Sequence, residues 1–327
     1  MSWSMFLPFL FRASLFLLII LGFEHVSLAN GSKSPVDTSP SSVYKTPESM
    51  AALGDSMSAG VLAPFSRKSA WSPIHHLGIL LNTVEFLASS NRESFAFRQY
   101  SWATGEEISS HATRLKRFHP GLLVGNFSKP SAYTGDLLGQ IDEMMDWSMK
   151  KTWKVIPDYV TLLIGHNDLC ADDMSGVLSV AGFSTKIRDS LGLLLRKSRG
   201  NERILVMPLS RIDKIVELSA KARLFPLPKM GSCEAMWKVA PLCPTLTQTH
   251  SPKERKALSQ RLREFNRVLS NEVSRARSVY GDRVRIAEKI AKQEPHPDLL
   301  AIDCFHPNIK AQKILSEDSW AYTWWAK

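Results

Sequence analysis

Three short islands in this sequence carry residue types that can do chemistry together. Gly54-Asp55-Ser56 sets a hydroxyl at the end of an apolar run, and Gly165-His166-Asn167-Asp168 sets a side-chain amide at the end of another. Asp303-Cys304-Phe305-His306 holds a carboxylate and an imidazole on one short stretch. A hydroxyl, a base with its orienting acid, and a donor for a developing oxyanion are the components of acyl transfer. Ser56 is the candidate nucleophile, His306 the base and Asp303 its orienting acid, while Asn167 and the N–H of Ser56 are candidate oxyanion donors. Each island also has a plainer reading. Gly-Asp-Ser recurs by accident, Asp303 reads as the N-cap of a helix with Pro307 in its first turn, and Asn167-Asp168 reads as a turn after a strand. Their joint occurrence at strand ends favours the chemical reading.

The elements that must position these groups are visible as periodicities. Strands are expected at 50–54, 95–100, 122–127, 159–164, 203–207 and 283–287; the run 159–164 is apolar throughout, as a strand buried on both faces should be. Helical faces are formed by Leu137, Ile141, Met144 and Met145, by Val180, Phe183, Ile187, Leu191 and Leu194, and by Leu258, Leu262, Phe265, Leu269 and Val273. Alternating strands and helices predict a parallel sheet covered on both sides, with sites at the carboxyl ends of its strands. Ser56 and Asn167 both fall there. Residues 209–250, with Pro226, Pro228, Pro241 and Pro244, read as a long irregular insertion: a lid, a substrate wall or mere ornament.

At the N-terminus, Arg12 precedes an apolar run over 13–23, and Ser27-Leu28-Ala29 supplies small residues for cleavage. We expect a signal peptide at 1–29 cut after Ala29, with an uncleaved signal anchor as the rival, then a linker at 30–48 and one domain at 49–327. Export is consistent with four cysteines, Cys170, Cys233, Cys243 and Cys304. Cys233 and Cys243 share one loop and are the expected pair; Cys170 and Cys304 each adjoin an island and could pair as well if those islands meet in space. No CxxC or HxxxH spacing occurs, so no metal is expected.

Across 327 residues, Lys plus Arg exceed Asp plus Glu by 41 − 31 = 10. An ordinary basic surface is the plain reading. Peripheral contact with anionic lipid is the sharper one, centred on Lys253, Arg255, Lys256, Arg261, Arg263 and Arg267 of one helix. His75, His76, His111, His119, His166 and His250 read as surface or turn histidines, with substrate contact the sharper reading for His166. Trp320, Trp324 and Trp325 read as packing residues rather than a membrane anchor. Asn30 and Asn126 begin glycosylation sequons.

On these residues the chain resembles the GDSL, or SGNH, hydrolase superfamily, and within it the phospholipase B-like branch of lipases and esterases. Gly165 to Cys170 is similar to that branch's Gly-x-Asn-Asp-Leu-Cys block, and Asp303 to His306 to its Asp-Cys-Phe-His block. Tyr100 to Gly105 is similar to its Ser-Trp-Ser-x-Gly stretch. The resemblance implies a three-layer α/β/α sandwich around a central, mainly parallel five-stranded sheet of the flavodoxin-like kind. It implies the triad Ser56, Asp303 and His306, and Asn167 as the side-chain oxyanion donor. One block departs: Asn126 to Ala132 sets Ser131 where the family has the glycine that completes the oxyanion hole, with Gly105 and Gly135 as fallbacks. No metal or cofactor is implied. The implied activity is a secreted or periplasmic serine esterase acting on small-molecule or lipid esters, phospholipids or lysophospholipids first. The rivals are a glycan O-acyl esterase or acyltransferase, and a non-catalytic binding module. No nucleic acid and no obligate protein partner are inferred.

Overall fold

The computed structural model describes residues 44–66, 92–219, 233–239, 242–248 and 251–326. The expected signal segment, most of the linker, the Asn30 sequon and His75, His76 and His250 lie outside the described residues. Five parallel strands form one sheet: β1 (Ser49–Gly54), β2 (Leu123–Asn126), β3 (Tyr159–Leu163), β4 (Arg203–Val206) and β5 (Val284–Ile286), in the order β2-β1-β3-β4-β5. Every residue of β1 and β3 is buried, as the unbroken apolarity of 159–164 requires of strands covered on both faces. The order is the doubly wound one, and its switch point falls between β1 and β3, whose carboxyl ends carry Gly54 and Leu163.

The expected strand at 95–100 is not one. Arg92–Phe95 and Arg98–Tyr100 are 3₁₀ turns, and between them Ala96 makes an isolated antiparallel bridge to Val61. The alternating Phe95 and Phe97 serve loop packing instead; Phe97 meets Phe65 edge to face, with centroids 5.3 Å apart.

In chain order the helices are α1 (Ser56–Ala59), α2 (His111–Lys116), α3 (Leu137–Thr152), α4 (Val180–Lys197), α5 (Ile215–Ser219), α6 (Cys233–Val239), α7 (Pro244–Thr247), α8 (Pro252–Tyr280) and α9 (Ile309–Trp320). Helices α3, α4 and α8 pack side by side. Their predicted apolar faces are the buried ones, and Phe183 stacks on Phe265 at 4.0 Å to join α4 to α8. Helix α8 starts in a capping box, with Ser251 and Glu254 satisfying each other's backbone N–H and Pro252 in the first turn. Lys253, Arg255, Lys256, Arg263 and Arg267 stand on its exposed side. Helices α2 and α9 cover Tyr159 together with buried Trp324 and Trp325.

His111 is a core residue, not a surface one. It is fully buried; Nδ1 meets the Tyr159 hydroxyl at 2.8 Å and Nε2 meets Ser319 Oγ at 2.9 Å, so one imidazole binds α2 to β3 and α9. Its long sequence separation from both partners hid this role.

Residues 44–48, at the end of the expected linker, are held to the sheet. Tyr44 donates to Asp282 at 3.0 Å, Trp325 Nε1 donates to the Lys45 carbonyl at 3.0 Å, and the Glu48 N–H donates to Asp158 at 2.9 Å.

The disulfides join Cys170 to Cys243 and Cys233 to Cys304, correcting both pairings read from the sequence. Proximity in sequence misled because α6 separates Cys233 from Cys243 and the two ends of the insertion dock on different loops. Trp237 of α6 donates to the Asp303 carbonyl at 3.1 Å, whereas the Thr245 N–H of α7 donates to the Ala171 carbonyl at 3.0 Å.

Candidate active site

Gly54 ends β1 at φ 146°, an angle open to glycine, and a Cβ there would lie 2.1 Å from the Leu163 carbonyl oxygen. The chain can therefore leave the strand hard against β3 and enter α1 at once. Asp55 caps that helix, its Oδ1 accepting from the Met57 N–H at 2.9 Å, which leaves Ser56 as the first helical residue. The Gln140 side chain grips the Gly54 peptide from α3, accepting from its N–H and donating to its carbonyl, both at 2.8 Å. From the other side Gln312 of α9 donates to the Met57 carbonyl at 3.0 Å and accepts from the Trp102 N–H at 2.9 Å.

The loop after β2 passes beside this turn. Its Lys129 N–H donates to the Gly54 carbonyl at 3.0 Å, and Arg98 Nη2 donates to the Ser128 carbonyl at 2.8 Å. Ser131 then takes φ 64°, the left-handed angle that a glycine would hold with ease. Asn126 does not face the site as a free acceptor for sugar. Its amide nitrogen donates to Thr104 Oγ1 at 2.7 Å and to the Ser58 carbonyl at 3.1 Å.

Asn167 follows β3 and donates through Nδ2 to the Ala132 carbonyl at 2.8 Å, tying its loop to the Ser131 loop. Asp168 fastens the same two loops, accepting from the Thr134 N–H at 2.9 Å and from its hydroxyl at 2.7 Å. Burial pushes the Asp168 carboxyl above the usual carboxylate range, while the two Thr134 donors pull against that. His166 is buried rather than superficial, with Nδ1 3.3 Å from Asp55 Oδ2.

The last island is a turn, not a helix start. Asn308 caps α9 by accepting from the Ala311 N–H, so Asp303 is released from capping. Asp303 Oδ1 instead accepts from the Phe305 and His306 N–H groups, each at 3.0 Å, and Oδ2 accepts from His306 Nδ1. Burial alone would raise the Asp303 carboxyl, but the adjacent imidazole and the two N–H donors hold it below the usual range. The carboxylate thus fixes the ring with Nδ1 protonated and Nε2 directed onward. Between them Cys304 sits at φ 58°, bonded to Cys233.

Ser56, Ser131, Asn167 and His306 all line one cavity of about 580 Å³. Asp303 lies behind His306, fully buried. Gly105 and Gly135 do not line it; Gly105 closes a tight turn in which a Cβ would lie 2.6 Å from the Gln99 carbonyl. Val61, Phe305 and Leu242 give the cavity apolar walls, and Leu242, Cys243 and Pro244 come from the insertion. The described end of the insertion is therefore a wall. Among the described residues no three His, Cys, Asp or Glu side chains converge on a metal position.

Sequence reasoning missed Gln140, Gln312, Thr134 and Trp237. One signal was present: Gln140 stands with Leu137, Ile141 and Met144 on the buried stripe of α3, where an isolated amide needs a specific partner.

The family model described as GDSL-like Lipase/Acylhydrolase matches residues 50–318. A search of curated proteins finds none that matches. Solved structures similar to this chain include a lipase/acylhydrolase from Enterococcus faecalis at 14% identity, covering 83% of this chain and 92% of that one with a TM-score of 0.39. An acetyl xylan esterase, AlAXEase, is 11% identical, with 84% and 98% covered and a TM-score of 0.39. A lipolytic protein of the G-D-S-L family from Veillonella parvula is 11% identical, with 83% and 96% covered and a TM-score of 0.35.

Proposed function

Because the chain belongs to the GDSL-like lipase/acylhydrolase family, we propose that it hydrolyses carboxylic esters through an acyl-enzyme on Ser56. The carrying observation is that Ser56, Ser131, Asn167 and His306 share one cavity, with His306 held by Asp303. His306 Nε2 takes the Ser56 hydroxyl proton as Oγ attacks the ester carbonyl carbon. The N–H groups of Ser56 and Ser131 and the amide of Asn167 receive the oxyanion. Collapse breaks the ester C–O bond, and the departing alcohol takes the proton from His306. Water then gives a proton to His306, attacks the acyl carbon and releases the acid, returning Ser56.

Phospholipids or lysophospholipids are the proposed substrates. Support comes from the match of Gly165 to Cys170 and Asp303 to His306 to the phospholipase B-like blocks, and from the apolar walls Val61, Leu242 and Phe305 beside the polar centre. Two disulfides support an oxidising, extracytoplasmic location. Replacing Ser56 with Ala should abolish release from both nitrophenyl butyrate and lysophosphatidylcholine. Undiminished turnover refutes the mechanism; turnover of nitrophenyl esters and acetylated xylan but not of lysophospholipid refutes the substrate assignment alone.

A further inference from the structure

In a parallel sheet each crossover helix returns the chain to the starting edge of the next strand. Helices α3, α4 and α8 run into β3, β4 and β5 in this way, so their last turns all reach the amino edge of the sheet. The three helices pack side by side, and their ends are tied together. Arg283, after α8, donates to Ser198, after α4, and the Arg203 N–H donates to the Asp158 carbonyl at 2.8 Å.

This edge carries exposed cations: Lys150 and Lys151 on α3, Arg196 and Lys197 on α4, and Arg199 just after it. Among the described residues none of these five side chains is paired with a carboxylate. The acids at the same edge are taken. Lys154 holds Glu48 and Asp158, Arg283 holds Glu202, and Arg285 holds Asp282. Asp146 stands one turn before Lys150 and offsets one of the charges.

Helix dipoles account for cations in last turns. They do not account for the apolar side chains beside them. Trp153, the residue that ends α3, is 82% exposed, and Val279, in the last turn of α8, is 70% exposed. Among the described residues these are the two most exposed large apolar side chains. Trp153 also takes φ 58°, a helix-ending angle that glycine usually fills, so a bulky indole is kept in solvent where none is needed for the turn.

We propose that this edge docks on an anionic lipid surface, with Trp153 and Val279 entering the headgroup layer and the five cations meeting lipid phosphates. A soluble polyanion would use the cations and leave both apolar side chains without a role. The chain points the same way, since Tyr44 is held at this edge and the apolar run 13–23 lies upstream of it.

The test is co-sedimentation of the exported protein with vesicles of ether-linked phosphatidylcholine, alone or with about 30% ether-linked phosphatidylglycerol. Ether lipids carry no ester, so the outcome does not depend on turnover at Ser56, and the neutral vesicles report any contribution of the segment ahead of Tyr44. Binding to the anionic vesicles should be at least about tenfold tighter than to the neutral ones at about 0.1 M salt, and weaker at about 0.5 M. The pairs Lys150→Glu with Lys151→Glu, and Arg196→Glu with Lys197→Glu, should each weaken it at least about tenfold. Trp153→Gly, which suits the backbone angle and keeps the fold, should weaken it at least about fivefold. Lys253→Glu with Lys256→Glu makes the same change in net charge at the opposite end of α8 and should leave binding within about twofold. No preference for the anionic vesicles, either edge pair binding like the wild type, or the Lys253 and Lys256 pair weakening binding as much overturns the proposal. Trp153→Gly binding like the wild type while soluble polyglutamate displaces the protein overturns it too, in favour of a soluble polyanion.

Discussion

Ser131 carries a backbone angle that an L-residue enters at a cost of about 1–2 kcal/mol, and it does so where its N–H is proposed to meet an oxyanion. Ser131→Gly keeps both the N–H and the angle, so activity should be retained and the melting temperature held or raised. Ser131→Pro removes the donor and cannot take φ 64°, and should lower kcat by about 10²-fold or more. Loss of activity in the glycine variant as well would move the role to the serine hydroxyl. A second residue-scale prediction concerns tautomers. Asp303→Asn preserves shape but no longer selects the Nδ1-protonated imidazole, and kcat on nitrophenyl butyrate should fall by about 10³–10⁴-fold with little change in KM.

At the scale of elements, the insertion is pinned at two points that border different parts of the candidate site. The bridge from Cys170 to Cys243 holds a cavity wall, and the bridge from Cys233 to Cys304 holds the turn of Asp303 and His306. Each spans more than 70 positions, with separations of 73 and 71. The chain-entropy account assigns each about 4 kcal/mol. Cys170→Ser with Cys243→Ser should raise KM more than it lowers kcat, and Cys233→Ser with Cys304→Ser should do the reverse, with a lowered melting temperature in both. Identical kinetic effects would show that the insertion acts only through stability. This arrangement also marks the limit of legibility. The faces of α3, α4 and α8 could be read because local spacing alone determines which side is apolar. Cysteine pairing could not, because it depends on where α6 and α7 dock, and nothing near Cys233 or Cys243 encodes that. Likewise 95–100 has strand-like alternation, and only its 3₁₀ turns and lone bridge at Ala96 show it to be loop.

For the molecule as a whole, His111 is the pH-sensitive joint. Burial holds its imidazole at about 3, below the 6.5 of an ordinary histidine. The unfolded chain therefore binds the extra proton between these values. The contribution is complete above about pH 6.5 and is lost progressively as pH falls toward 3, by at most about 1.4 kcal/mol per pH unit. Urea unfolding between pH 7 and 4 should show this slope, and His111→Gln should flatten it; an equal slope in the variant would place the acid sensitivity elsewhere. The three islands were legible as candidates because two of them follow the ends of β1 and β3, at the switch point of the doubly wound order, and the third is a short local turn. Their supports were not, since Gln140, Gln312 and Trp237 act across separations of 86, 255 and 66 residues.

Strand direction separates the anchored residues 44–48 from the cavity of the candidate site. Tyr44 is tied to Asp282 and Lys45 to Trp325 just ahead of the start of β1, whereas Ser56 stands past its finishing edge. A handle grafted ahead of Tyr44 accordingly leaves from the rear of the sheet. Protein coupled to a bead or film by that route should present its opening outward to passing substrate.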